Sequence, residues 1–170
     1  NGEDLSFKHF ESDRVIIIRA FTKFFGIPGL RLGYSICYNK KWVSTANNLK
    51  EPWTINTFAA SCGEFLLNSN KFIEKTYKTL EKEKNRMLNG LTKIKNIRVF
   101  KSESNFLLIK LMEISGTELY NKLLEKGFLI RRCENFNFLD DSYVRIAIKD
   151  KKSNKNFIKA INKITKNRNV

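Results

Sequence analysis

A short segment, residues 19–34, constrains the fold of this chain more than any other part of its sequence. The β-branched run Val15-Ile16-Ile17-Ile18 precedes it, and it contains Lys23, Arg31, three glycines and one proline. The Pro28-Gly29 pair predicts a type II turn, because proline presets its own backbone angle and glycine accepts the left-handed one. The sequence therefore predicts a strand that leads into a turn bearing one lysine and one arginine.

Two apolar runs on either side of this turn predict buried strands. Residues 14–19 contain the continuous apolar run Val15–Ile18, which is typical of a strand buried on both faces in a parallel sheet. Residues 32–38 are mostly apolar and predict a second buried strand. Helical spacing of apolar residues follows them along the chain. It predicts one helix over residues 40–50. It predicts a second helix that begins at a cap, either Thr54 or Asn56, and ends at about Leu67.

A long amphipathic helix is predicted over residues 71–94. After it, the predicted elements become short strands that alternate with helices. Lys84 falls within its apolar stripe, which predicts that the middle of the helix is exposed, as in a connector. The predicted domains are therefore 1–70, 71–94 and 95–170. The last of these has strands at 99–100, 106–111, 128–131 and 143–148, a helix between the cap Ser115 and Gly127, and a final helix over 153–166.

Composition narrows the class of protein. The 170 residues carry a formal charge of +15, and the lysines are spread over every predicted helix, which favours solvated surfaces over a nucleic-acid site. A basic module that binds nucleic acid stays open as an alternative.

Three widely spaced cysteines and one histidine predict neither a disulfide framework nor a metal site. No apolar run has the roughly 20 residues of a membrane span, so we expect a cytoplasmic protein.

The turn offers the two groups that pyridoxal phosphate needs. A lysine that follows a buried strand and is flanked by phenylalanines is partly desolvated, which makes its amine a better nucleophile toward a carbonyl carbon. Arg31, held eight residues after Lys23 by glycine-containing turns, offers a planar fork for phosphate. The alternative is that Lys23 is an ordinary surface residue and Arg31 a salt-bridge partner. The glycine spacing does not fit a nucleotide-binding P-loop.

Four segments of the chain resemble the fold-type I pyridoxal-phosphate enzymes. Within that superfamily the resemblance is closest to the threonine-phosphate decarboxylases, with the histidinol-phosphate aminotransferases as near relatives. An Arg-x-Cys-x-Asn-Phe pattern points to the decarboxylase branch. The segments are Thr22-Lys23 with Pro28-Gly29-Leu30-Arg31-Leu32-Gly33-Tyr34, then Pro52-Trp53-Thr54-Ile55-Asn56, Leu129-Ile130-Arg131-Arg132-Cys133-Glu134-Asn135-Phe136, and Tyr143-Val144-Arg145-Ile146-Ala147.

The resemblance implies a role for each residue of the turn. Lys23 would bond covalently to pyridoxal phosphate and later move the proton at the substrate α-carbon, whereas Thr22 and Arg31 would hold the cofactor phosphate. The chain departs from the family at Ala20, where a serine or threonine often donates to that phosphate. One hydrogen bond to a charged group is worth about 1.5–3 kcal/mol. We therefore expect that the cofactor binds more weakly but still binds.

The resemblance also implies where the substrate binds. Arg145 matches the arginine that binds the substrate carboxylate, and Arg131 lies where a phosphate-bearing substrate is contacted. Asn135 is a further candidate for the same pocket. The alternative for Arg131 and Arg145 is that they are charges on edge strands.

The implied fold is the C-terminal half of the fold-type I fold: the end of the large domain, a connecting helix and a small α/β domain. The family's aspartate that pairs with the pyridine nitrogen lies before the lysine, outside these residues. We therefore expect that the isolated chain is catalytically inactive and that the full-length protein is a homodimer.

Three functions follow as hypotheses. The first is a pyridoxal-phosphate-dependent lyase that decarboxylates L-threonine O-3-phosphate to aminopropanol phosphate in cobalamin biosynthesis. The second is an aminotransferase acting on histidinol phosphate or a similar substrate. The third, from another class, is the nucleic-acid-binding module that the net charge leaves open.

Overall fold

The computed structural model describes residues 9–166, and the chain divides between Asn70 and Lys71 into two units. Residues 1–8 and 167–170, at the outer ends of the predicted domains 1–70 and 95–170, lie outside the described residues. Each unit has its own hydrophobic core. In the part of the chain that the structure describes, no helix is both long and apolar enough to cross a membrane.

The first unit contains a pair of antiparallel strands, β1 (Ile16–Ala20) and β2 (Gly33–Cys37). The prediction of parallel strands buried on both faces is wrong here, because Ile16 and Ile18 are 49% and 82% exposed in this unit. β-branched residues favour a strand whatever the direction of its neighbour. The direction is fixed instead by the intervening turn, whose ends join where the Phe21 N–H donates to the Leu32 carbonyl at 3.2 Å.

The predicted type II turn at Pro28-Gly29 is also wrong. A short 3₁₀ helix spans Pro28–Leu30, closed by a 3.2 Å hydrogen bond from the Leu30 N–H to the Ile27 carbonyl. Proline suits the first position of a helical turn, where its missing N–H removes no intrahelical bond. The left-handed backbone angles fall on Gly26 (φ 66°) and Arg31 (φ 53°) instead of on Gly29.

Two helices complete the first unit, as predicted. They are α1 (Lys40–Leu49) and α2 (Thr57–Leu67). Of the two predicted caps of α2, the structure selects Asn56, whose side chain accepts from the Ala59 N–H at 2.8 Å. The small core of the unit consists of Phe21, Leu32 and Ala59, with partly buried Phe25, Ile27, Leu30 and Leu66 packed against them.

The second unit is a four-stranded antiparallel sheet covered by helices. The strand order is β3-β4-β6-β5. In chain order the elements are α3 (Asn70–Leu91), β3 (Ile97–Val99), β4 (Phe106–Leu111), α4 (Gly116–Leu124), β5 (Arg131–Arg132), β6 (Tyr143–Ala147) and α5 (Lys151–Lys166). The predicted strand at 128–131 forms later, at Arg131–Arg132, because Phe128 and Ile130 pack into the core ahead of it.

Alternation along β4 and β6 builds the core of this unit. Leu107 and Ile109 of β4 are opposite Ile146 and Val144 of β6, and all four side chains are buried. The predicted cap of α4 is confirmed, because the Ser115 hydroxyl accepts from the Glu118 N–H at 3.0 Å. Apolar residues of α3, α4 and α5 cover this face of the sheet, among them Met87, Leu91, Leu119, Leu123, Phe157 and Ile161.

One face of α3 is buried at Glu83 and Lys84 is only partly exposed, which corrects the prediction of an exposed middle drawn from Lys84. Glu83, beside Lys84, is only 4% exposed, and the single Arg86 Nε–H is shared between its two carboxylate oxygens, at 3.0 and 3.1 Å. Asn154, which is 1% exposed, donates to the same carboxylate at 3.0 Å and to the Lys149 carbonyl at 2.7 Å. The charged residue Glu83 therefore joins α3 to the start of α5 through its hydrogen bond with Asn154.

The charge of Glu83 stabilises the folded unit. Burial opposes ionisation, but the hydrogen bonds from Asn154 and Arg86 outweigh it and lower the pKa of the carboxyl below its ordinary value. A lowered pKa in the folded state adds stability that is present above the ordinary pKa and is lost as the pH falls through the lowered one.

We predict that Glu83→Ala lowers the free energy of unfolding by about 2–4 kcal/mol, because it leaves Asn154 and Arg86 without their shared acceptor. Urea unfolding followed by far-UV circular dichroism measures the loss. Glu74→Ala is the matched control: its pair with Lys78 is exposed on the same helix, and we expect a change below about 0.5 kcal/mol. Glu83→Gln, which keeps an acceptor, is expected to reduce the acid-dependent part of the stability. An unchanged pH dependence would contradict this account.

Candidate active site

The turn of the first unit holds Lys23 outside its small core. Phe21 is buried, and its ring lies 5.4 Å from that of Tyr34 and 5.8 Å from that of Phe25. The side chains that fill the core thus leave Thr22 half-buried and Lys23 exposed in this unit. The predicted desolvation of Lys23 by its neighbouring phenylalanines is therefore wrong for this unit, because those rings pack with one another.

Arg31 is folded back over the same turn. Its backbone is left-handed, and its Nη1 donates to the Pro28 carbonyl at 3.0 Å. This contact uses one of the five N–H groups of the guanidinium. Arg31 is thereby held at the end of the 3₁₀ helix, eight residues after Lys23 in sequence.

The donor set of the turn fits pyridoxal phosphate. The cofactor carries an aldehyde, which condenses with a lysine amine, and a phosphate, which binds hydroxyl and guanidinium donors. Lys23, Thr22 and Arg31 supply these three groups from one continuous segment whose ends are joined. Ala20 occupies the last position of β1 opposite Gly33 and adds no side-chain donor.

In the second unit, the structure brings together the three residues that the sequence assigned to the substrate. Arg131 of β5 and Arg145 of β6 are directly opposite one another in the strand register. The Asn135 Oδ1 accepts a 2.8 Å hydrogen bond from the Arg131 Nη2. Asn135 therefore fixes the guanidinium of Arg131 through this hydrogen bond, and its place in a substrate pocket stays a prediction.

Two aromatic rings support the arginines, and sequence reasoning assigned no role to either. The Arg145 Cζ lies 4.7 Å from the ring centroid of Phe106, and the Arg131 Cζ lies 5.5 Å from that of Phe136. Both are cation–π distances. Phe136 stands within a recognised motif, but the contact of Phe106 depends on the register between β4 and β6, which the sequence does not show.

Among the described residues, no carboxylate forms an ion pair with Arg131 or Arg145. Like charges directly opposite one another across antiparallel strands are destabilising. Cys133, buried beside them, stays a neutral neighbour: burial raises the pKa of its thiol, although both arginines act in the opposite direction. Two adjacent guanidinium groups, neither of them paired with a carboxylate among the described residues, form a surface suited to a ligand with two negative charges.

Comparison with known proteins places these features in a family. The family model for class I and II aminotransferases matches residues 5–161. The chain is 40% identical over 149 residues to a Caldanaerobacter subterraneus protein provisionally named threonine-phosphate decarboxylase, covering 88% of the chain and 40% of that relative. It is 33% identical over 154 residues to the histidinol-phosphate aminotransferase of Methanocaldococcus jannaschii, covering 91% and 41%. The chain thus spans about two fifths of the length of these relatives.

A solved structure agrees with the fold. The crystal structure of the histidinol-phosphate aminotransferase from Clostridium acetobutylicum matches with a TM-score of 0.84 and 44% identity. The match covers 89% of this chain and 46% of that one. The two units described here therefore form part of the fold-type I architecture that the sequence predicts.

The turn that bears Lys23 requires a glycine at position 33. A Cβ there would lie 2.8 Å from the Arg19 carbonyl oxygen, which is backbone and cannot move aside alone. We predict that Gly33→Ala destabilises the first unit by about 1–3 kcal/mol. Tryptophan fluorescence during urea unfolding reports on this unit, because Trp42 and Trp53 are the only tryptophans of the chain and both belong to it.

Gly29→Ala is the matched control for Gly33→Ala. A Cβ at Gly29 would meet nothing within 4 Å, and its backbone is not left-handed. We expect a change within about 1 kcal/mol, toward higher stability, because alanine restricts the unfolded chain. Equal effects of the two substitutions would show that the close approach at Gly33 has no energetic consequence.

Proposed function

Because the chain belongs to the class I and II aminotransferase family, which depends on pyridoxal phosphate, we propose that the protein carrying it decarboxylates L-threonine O-3-phosphate to aminopropanol phosphate, a step in cobalamin biosynthesis. One observation supports this proposal most directly. Arg131 and Arg145 are directly opposite one another in the strand register, and this substrate supplies a carboxylate and a phosphate at once. Each guanidinium can bind one anion in a two-pronged contact.

We assign a role to each residue of the turn. Bound pyridoxal phosphate supplies an electron sink for the charge that develops when a bond at the substrate α-carbon breaks. Lys23 holds the cofactor through its amine and returns a proton to the α-carbon. Thr22 and Arg31 bind the cofactor phosphate through a hydroxyl and a guanidinium.

We assign the two anions of the substrate to the arginines of the second unit. Arg145 binds the substrate carboxylate and Arg131 the substrate phosphate, with Asn135 orienting Arg131. Two fixed anchors, one for each anion of the substrate, restrict how the substrate can rotate. The orientation in which its carboxylate is held decides whether carbon dioxide or a proton leaves the α-carbon.

An aminotransferase acting on histidinol phosphate is the second candidate. The 44% identity to the Clostridium acetobutylicum enzyme favours it. Histidinol phosphate carries a phosphate and no carboxylate, so in this reaction Arg131 and Arg145 would bind different molecules: the phosphate of one substrate and the carboxylate of the amino acid or keto acid that exchanges the amino group.

The family resemblance also supports two further proposals, and the cytoplasmic location that the sequence predicts is a separate one. The full-length protein is a homodimer. The 170 residues alone are catalytically inactive, because the matched relatives extend well beyond the part that this chain covers. Light scattering on the full-length protein and a turnover assay on the isolated chain measure these two properties.

We predict that Lys23 is the attachment site of the cofactor. When the full-length protein is loaded with pyridoxal phosphate and reduced with borohydride, peptide mapping is expected to place the pyridoxyl group on Lys23. Lys23→Ala is expected to abolish the label, because no other amine of the turn can replace it. Lys41→Ala, which removes an exposed lysine of α1 in the same unit, is the control and is expected to keep full labelling. A label elsewhere would contradict the assignment.

We predict that the full-length enzyme releases carbon dioxide from L-threonine O-3-phosphate without a keto acid. Arg131→Ala is expected to raise the KM for this substrate by about 10- to 100-fold, because a hydrogen bond to a charged group is lost. Arg98→Ala is the matched control: Arg98 also lies on an edge strand over an aromatic ring, that of Phe100, but at the opposite edge of the sheet.

The keto acid decides between the two candidate reactions. Strict dependence of turnover on 2-oxoglutarate, with no carbon dioxide released, would contradict the decarboxylase and favour the aminotransferase. An Arg131→Ala effect no larger than that of Arg98→Ala would contradict the proposed phosphate contact under either reaction.

A further inference from the structure

Arg132 lies on the opposite face of β5 from Arg131 and contacts α4. Successive residues of a strand point to opposite faces, and Arg132 pairs with the buried Val144 whereas Arg131 pairs with Arg145. The Arg132 Nη1 donates to the Thr117 Oγ1 at 2.8 Å. Its guanidinium also lies 5.6 Å from the ring centroid of Tyr120. One arginine thus attaches the short strand to the first turn of the helix.

The same turn of α4 binds the far end of the segment that follows β5. The backbone N–H and the hydroxyl of Thr117 each donate to the Asp141 Oδ1 at 3.0 Å. The Gly116 N–H donates to the Asp141 carbonyl. A Cβ at position 116 would lie 2.7 Å from that carbonyl oxygen, so glycine permits the approach. Thr117 is therefore shared between Arg132 and Asp141.

The segment 133–141 is fixed to α4 at both ends. At its start the Arg132 Nη2 forms a 3.0 Å ion pair with the Glu134 Oε1, and at its end Asp141 binds the helix. Asn135, which accepts from Arg131, lies between these two attachments. The geometry that presents Arg131 thus depends on contacts made on the other face of the sheet.

We propose that Arg132 is a positioning residue for the phosphate of the substrate, acting through Arg131. This inference rests on the proposed function. β5 has only two residues, and Arg131 is repelled by Arg145 directly opposite it. The contacts of Arg132 with Thr117 and Glu134 keep the strand and Asn135 in place against that repulsion. Arg132 itself faces away from the arginine pair and does not touch the substrate.

The test uses the full-length, cofactor-loaded enzyme with two substrates, L-threonine O-3-phosphate and unphosphorylated L-threonine. Arg132→Ala is expected to raise the KM for the phosphorylated substrate by about 5- to 20-fold and to leave kcat within about 2-fold of the wild-type value. The reason is that the substitution weakens binding of the ground state and of the transition state equally. The KM for L-threonine is expected to change by less than about 2-fold. Arg132→Lys keeps the charge without the fork and is expected to lie between wild type and Arg132→Ala.

A double-mutant cycle separates positioning from general structural damage. In an Arg131→Ala background, Arg132→Ala is expected to change the KM by less than about 2-fold, because the group through which it acts is absent. Equal increases in KM for both substrates, or effects of the two substitutions that multiply, would overturn the proposal. Arg98→Ala again serves as the control.

Hydrogen exchange of the segment 133–141 gives a readout that does not depend on activity. Arg132→Ala is expected to accelerate its exchange by about 10-fold or more, because opening of the segment becomes easier. If the wild-type enzyme shows no preference for the phosphorylated substrate, the proposed function fails. If that preference is present but the KM and the exchange of 133–141 are unaffected by Arg132→Ala and Arg132→Lys, the inference about Arg132 fails.

Discussion

The alternation of side chains along β6 determines where the arginines of the second unit lie. Val144 and Ile146 are buried against β4, so Arg145 between them faces the other side of the sheet. The same register places Arg131 beside Arg145 and Phe106 on the same face. A slip of one residue would reverse both faces at once, burying a charge and exposing the core. The hydrophobic core of this unit and the proposed substrate site are therefore consequences of one register.

Much of the fold could be predicted because it depends on local chemistry. The helix caps Asn56 and Ser115 were recognisable, since a short polar side chain before an apolar stripe satisfies free N–H groups. Alternating apolar residues at 143–148 predict a strand, because a period of two residues does not depend on the partner strand. Lys23 and Arg31 stood out by spacing and by resemblance.

The remaining features depend on contacts between distant residues. The apolar run at 14–19 fits a parallel or an antiparallel neighbour equally well. Lys84 suggests an exposed helix from the sequence alone. The sequence does not show that Asn154, 71 residues after Glu83, donates a hydrogen bond to the Glu83 carboxylate. The contact of Phe106 with Arg145 and that of Arg132 with Thr117 depend likewise on register and on helix placement, neither of which is encoded locally.

The paired arginines are held where their repulsion opposes folding. Like charges opposite one another cost up to about 1 kcal/mol on an antiparallel pair, and the two-residue strand β5 has few ladder hydrogen bonds to resist them. The rings of Phe106 and Phe136, and the contact of Arg132 with α4, offset this cost. A ligand with two negative charges that binds between the two guanidinium groups would offset this repulsion. Binding of such a ligand and ordering of β5 are therefore coupled, and the ligand stabilises the edge of the sheet to which it binds.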